Sequence, residues 1–296
     1  MHHASRSIIS GFIGLALALG ATAAMATAQL PVDQILVRNA AARGGIDAWR
    51  KVTTVSMTGQ MDANKPRSSR PDYHPPAVNP KHPSAAGAAS VPPADDPDKV
   101  VELPYRLEMK RPLKTRLEID VNGQTAVQIY DGVKGVKIRP YLGRPAPEPY
   151  TPAELQLAAA EQELDGPLVD HERKGTKIAL DGVDKVNGSD AYKLKLTFKN
   201  GTVRHLWVDA SSFLDVKTDG SRHLDGKTHV VETYLKNYKS VNGLMFPMLT
   251  ETVIEGVPGS TKLTVATVTV NPALDDSRFQ IDTKPLAAAQ KPGSKP

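Results

Sequence analysis

Cysteine is absent from the 296 residues. Disulfides are therefore excluded, and stability has to come from a buried core. A lipid anchor carried on a cysteine behind a bacterial leader is excluded as well. Aromatics are scarce, at 5% of the chain. The lysines and arginines are scattered rather than clustered among aromatics, so the net charge of +5 does not describe a nucleic-acid surface. A weak attraction to anionic headgroups is the most it supports. Also missing are the G-x-S-x-G nucleophile elbow, the phosphate-binding P-loop and the dinucleotide fingerprint. Nothing in the chain asks for an enzyme or a cofactor.

What is present begins with MHHASRS and an apolar run at residues 8–19, followed by small residues at A-x-A spacing. That pattern describes a cleavable secretory signal over 1–28, and the apolar run is short of the roughly 20 residues a spanning helix needs. Cleavage is expected at Ala26-Thr27-Ala28, leaving Gln29 first, with cleavage after Ala26 or an uncleaved anchor as alternatives. No later run is apolar enough to span a bilayer, so a soluble, periplasmic mature chain is expected. Residues 29–283 read as a single domain, interrupted at 62–98 by a stretch dense in Pro, Ala and Ser. Such a stretch buries too little to offset its ordering entropy and reads as a disordered insertion, or else a polyproline spacer. The tail 284–296 reads as disordered.

Helical spacing places Ile35, Leu36 and Ala40 on one face of a helix over 32–42, stopped by Gly44-Gly45, and IDAWRK adds a short turn with Trp49. Thr151-Pro152 with Glu154 is a capping box opening a second long helix, and PLVDHERK (167–174) reads as a further short one. The remainder is strand. TRLEIDV turns at Asn122-Gly123 into TAVQIY, and AYKLKLTF points Tyr192, Leu194, Leu196 and Phe198 to one side. At the end, Leu263 and Val265 alternate out of phase with Val268 and Val270, as a bulge near Ala266 would produce. Alternation gives about eleven strands with one face buried and one wet, in a sheet large enough to curl under the helices.

YRLEMKRP is the stretch that raises a functional question. Tyr105, Leu107, Met109 and Arg111 share one face of a strand, while Arg106, Glu108 and Lys110 form the other, solvated one. In the next strand Leu117, Ile119 and Val121 are inward. Arg111 thus ends an apolar row, either reaching solvent along Met109 or meeting buried acceptors. The other candidates are weaker. His205, His223 and His229 lack the spacing of a metal motif, and Asp275-Asp276 reads as a turn cap before Arg278 and Phe279. Trp49 and Trp207 read as core.

LEMKRP (107–112), YDGVKGVKIRP (130–140), YKSVNGLMFP (238–247) and VTVNPALDDSRF (268–279), in this order, resemble the LolA-like, outer-membrane lipoprotein-sorting family. The resemblance implies a mainly β, incompletely closed antiparallel β-barrel with a helical lid over an apolar cavity, and no catalysis. It implies lipoprotein acyl chains or another lipid as ligand. An inner-membrane transporter and an outer-membrane acceptor are the implied partners. It assigns Arg111 to bonds with backbone carbonyls of the lid, and Tyr105, Leu107, Met109, Leu117 and Ile119 to the ligand-binding surface. Where the carriers line the cavity with aromatics, this chain has Glu108, Leu117 and Val136, and the 62–98 insertion is not part of the family pattern. An envelope protein-interaction or stress-sensing domain on the same scaffold is the alternative. A metal-dependent hydrolase built on the histidines is a third reading.

Overall fold

The computed structural model describes residues 30–63, 101–161, 163–224 and 226–281. The expected leader, most of the 62–98 insertion and the expected tail lie outside them. Asp62 itself, expected in the insertion, belongs to the first strand and pairs with Glu102.

Two helices come first, α1 (Val32–Ala42) and α2 (Ile46–Arg50). The strands are β1 (Thr54–Ala63), β2 (Val101–Lys110), β3 (Lys114–Val121), β4 (Gln124–Tyr130), β5 (Gly135–Arg139) and β6 (Arg144–Pro149). After α3 (Pro152–Glu161) come β7 (Lys177–Val186), β8 (Ser189–Thr197), β9 (Val203–Asp209), β10 (Asp215–Leu224), β11 (Lys227–Val241), β12 (Leu244–Ile254) and β13 (Thr261–Val270). All form one 13-stranded antiparallel sheet in the order β6-β5-β4-β3-β2-β1-β13-β12-β11-β10-β9-β8-β7. It is two meanders, each built of neighbouring hairpins, joined where β1 meets β13. Among the described residues the sheet is not closed, because β6 and β7 each pair on one side only. No helix among the described residues is long and apolar enough to cross a membrane.

The strand count corrects the expected eleven, and the two strands that the pattern missed are the two edges. β6 alternates proline with Arg144, Ala146 and Glu148, which an edge tolerates because only one side of the strand needs amide donors. β7 has a register shift between Leu180 and Val183, with Gly182 at φ 118°. A second correction concerns 167–174. The chain there is a run of turns, not a helix, with Gly166, Asp170 and Gly175 all at positive φ.

Local chemistry explains the elements that were expected. Thr151 and Glu154 exchange capping bonds, the Thr151 amide to Glu154 Oε2 at 2.8 Å and the Glu154 amide to Thr151 Oγ1 at 3.3 Å. Asn122 and Gly123 turn β3 into β4 at φ 55° and 76°, the geometry of a type I′ turn. Thr58 faces Thr267 and Gly59 faces Val265, so Ala266 is the extra residue of a bulge. The bulge returns Leu263, Val265, Val268 and Val270 to a single face.

That face is the inner one, covered by the helices. Ile35 of α1 is fully buried with Tyr192, Leu194, Leu196, Leu206 and Val208. Trp49 of α2 packs with Val52, Val55, Leu244, Phe246 and Met248. Leu168 and Val169, from the turn-rich segment 163–176, each insert into one of these clusters and so knit them together.

Candidate functional site

The register fixes what shares the inner face with Val55. Val55 pairs with Met109, Met57 with Leu107 and Gly59 with Tyr105. Across β3, Leu107 pairs with Leu117 and Tyr105 with Ile119. The structure thus brings Tyr105, Leu107, Met109, Leu117 and Ile119 together on one apolar surface that continues into Met61, Leu263 and Val265. Tyr105 is buried, and burial pushes its phenol up to about 12. The other four are only half-buried, so Leu117 and Ile119 are less covered than the alternation suggested.

Three pieces of chain cap this face. α3 reaches across it: Glu154 accepts a bond from Lys137 on β5 at 2.5 Å, while Leu157 sits beside Arg204, Thr218 and Thr233 of the other meander. α2 and the 163–176 strap close the end where β2 finishes, and Arg111 is the residue that joins them. Its amide donates to Thr53 O at 2.9 Å. Its Nε donates to Val52 O at 2.7 Å, and Nη2 donates to Trp49 O at 3.0 Å and to Asp165 Oδ2 at 2.8 Å. The two carbonyls lie in and just after the last turn of α2, where the helical ladder runs out; Trp49 O also accepts from the Val52 amide at 3.1 Å.

Asp165 is the partner that sequence reasoning missed. Its side chain is 1% exposed and lies between two cations, Arg111 and Lys174, whose Nζ reaches Oδ1 at 2.8 Å. Lys174 also donates to Glu163 Oε2 and Gly166 O, tying the strap to itself. Burial pushes the Asp165 carboxyl up, but the bonds from Lys174 and Arg111 outweigh it and hold it below the usual aspartate value. Nearby, the Arg50 guanidinium holds Asp170 down at about 2. An aspartate in an ELDGP turn carries no pattern that would separate it from an ordinary loop residue. Only the topology puts it beside a strand end 54 residues away.

Among solved structures, a LolA superfamily protein from Nitrosomonas europaea is similar to this chain at 14% identity and a TM-score of 0.52, covering 86% of this chain and 99% of its own. The chain has the LolA fold. A DUF1329 family protein from Desulfovibrio piger matches comparably, at 13% identity and a TM-score of 0.51, over 85% and 98% of the two chains. No protein-family description and no curated protein matches the sequence.

On this LolA fold the outer face departs from expectation. Glu108, read as solvated, is 3% exposed, and Arg278 Nε donates to its Oε2 at 2.5 Å. The chain after β13 crosses this face: Lys110 donates to Leu274 O, Arg116 donates to Arg278 O, and Phe279 is buried. Alternation tells which side a residue faces but not what lies over it. Of Glu108, Leu117 and Val136, only Leu117 is inner. Glu108 and Val136 are outer, Val136 in a cluster with Val127, Ile129, Ile138 and Ile281.

The remaining candidates have structural partners. Asp275 caps a short 3-10 helix by accepting from the Ser277 amide, and Asp276 pairs with Lys110 and Lys114. His205 Nδ1 lies 2.7 Å from Asp219 Oδ2, and His229 Nδ1 lies 2.8 Å from Glu255 O. Among the described residues no cluster suited to a metal ion occurs; the side chain of His223 lies outside them. Trp49 and Trp207 are both buried.

Proposed function

We propose that the protein is a periplasmic carrier for lipidic ligands, without catalysis, that takes an acyl chain against the inner face beneath α3, α2 and the 163–176 strap. The observation that carries this reading is the half-buried apolar surface of Leu107, Met109, Leu117 and Ile119. It lies under a cap tethered by polar bonds at Arg111, and apolar side chains left part-open inside a fold are what an apolar ligand would complete. Each buried methylene contributes about 0.8 kcal/mol, so a single long tail supplies enough attraction to survive the cost of ordering it. The leader, the sequence resemblance and the LolA fold support the same reading, with lipoprotein acyl chains as cargo received from an inner-membrane transporter and passed to an outer-membrane acceptor. Arg111 is the gate. While it holds Trp49 O, Val52 O and Asp165, the cap stays on the face.

Native mass spectrometry of protein purified from periplasm should reveal co-purified lipid, and delipidated protein should bind a fluorescent, uncharged acyl ester. Leu117→Asp should abolish that binding while the protein stays folded. Arg111→Leu should strengthen it or slow release, whereas Arg106→Leu on the outer face should do neither. Absence of both adduct and probe binding would overturn the carrier reading. Equal effects of the two arginine substitutions would remove the gate.

A further inference from the structure

The apolar row does not end at the protein's surface. It ends at a charged cleft of about 710 Å3, lined by Arg50, Arg111, Arg173 and Lys174 against three carboxylates, Glu163, Asp165 and Asp170. The carboxylates are shared. Asp170 is taken by Arg50 and Arg173, and Asp165 by Arg111 and Lys174. The lining side chains alone sum to one positive charge, and Asp47, just outside the cleft, pairs with Arg50. Arg111 is also incompletely used: its side chain is 27% exposed, and among the described residues its Nη1 has no hydrogen-bond partner. Dimensions agree with a bound amphiphile. From Tyr105 to Arg111 the strand advances about 20 Å at its usual rise. One acyl tail, half of a bilayer's hydrocarbon core, spans about 15 Å, which leaves a headgroup at the guanidinium.

Resting on the reading of a lipid carrier but replacing a lipoprotein as its cargo, we infer that the ligand is a single-tailed anionic amphiphile whose carboxylate or phosphate head replaces Asp165 on Arg111 while its tail lies along Met109, Leu107 and Tyr105. A planar guanidinium that already holds one carboxylate oxygen offers a second oxyanion the same charge-assisted bonds, with Nη1 completing a fork. The exchange couples loading to the cap. The head that binds is the group that frees the 163–176 strap from the strand end, so a neutral amphiphile has no means of competing for the tether.

The test uses the whole mature protein, delipidated, with a fluorescent neutral acyl ester displaced by hexadecanoate, its methyl ester, or hexadecyl phosphate. Ratios between these competitors cancel any change in cap opening. One or both anions should bind about tenfold tighter than the methyl ester, the scale of one charge-assisted pair, and the tighter anion identifies the head. Rising salt should shrink the preference. Arg111→Gln should abolish it, Asp165→Asn should increase it, and Arg106→Gln should leave it unchanged. If anions and ester bind the wild type equally, the headgroup assignment is overturned and the carrier reading stands. If none binds, both fall. A preference that survives Arg111→Gln removes Arg111 from the site. Should that variant fail to fold, a preference indifferent to both salt and Asp165→Asn overturns the assignment instead.

Discussion

Replacing Asp165 by leucine puts the cap's tether to a quantitative test. The substitution keeps the branched four-atom shape, with methyls in place of the smaller oxygens, and removes two charge-assisted bonds, each 2.8 Å long, to Arg111 and Lys174. Removing one partner of a buried ion pair typically costs about 3–5 kcal/mol. Here the figure has to be discounted. Arg111 keeps Trp49 O and Val52 O, Lys174 keeps Glu163 and Gly166 O, and the two side chains are 27% and 14% exposed, so both cations recover some solvation. About 2 kcal/mol remains, which for a domain of this size lowers the Tm by about 4–8 °C. Asp165→Asn keeps an acceptor and should lose about half as much. Urea unfolding of the three proteins at neutral pH measures this directly. The pH dependence supplies the sign. Because the folded state holds this carboxyl below its ordinary value, its contribution is complete above the unfolded aspartate value of about 3.9 and is lost as pH falls through the folded one. The gap between wild type and Asp165→Asn should therefore be flat from neutrality to about pH 5 and close below about pH 4. A cost under about 0.5 kcal/mol for the leucine variant, or a gap that persists undiminished to the acid limit, would refute the reasoning.

Other substitutions test other parts of the fold. A Cβ on Gly59 would lie 1.9 Å from the Thr264 carbonyl oxygen, backbone that cannot swing aside; Gly59→Ala should cost about 1–3 kcal/mol by urea midpoint. Arg278→Ala leaves Glu108 buried without its partner, and since Arg278 is itself 37% exposed the loss should be about 2 kcal/mol rather than the full buried-pair figure. Ala63 and Val101 are register partners, so replacing 64–100 by a tight turn keeps the β1–β2 hairpin. Shorter closure should then raise stability by about 0.6 kcal/mol for each halving of the loop, and loss of cooperative unfolding in calorimetry would show that the segment is structural.

The inner strands were legible because burial on one face imposes a period of two, and the helix starts because caps are local chemistry. Even the Ala266 bulge could be read, since Val265 and Val268 cannot share a face without it. What escaped was whatever depends on a second layer. β6 and β7 lacked a signal because edges carry half the constraint of interior strands. Glu108 looked solvated because its cover, Arg278, lies 170 residues later. Arg111 was visible as an anomaly, a charge closing an apolar row, but its carboxylate partner was not. Asp165 announces nothing until the strap is laid over the strand end.

The order of the strands has a consequence for how the chain assembles. Among the described residues every pairing joins strands adjacent in sequence, apart from the seam between β1 and β13, whose partners lie at least 200 residues apart, such as Thr58 and Thr267. A chain delivered N-terminus first can fold β1–β6 early, since hairpins close quickly, but β1 then waits as an open edge with Val55, Met57 and Met61 uncovered. The late arrival of β13 completes the sheet, and closing that long loop sets the slow step. Until then the vacancy fits the last strand of any neighbouring copy equally well, so crowded, half-finished chains should be prone to strand exchange, in which each copy lends its β13 to another.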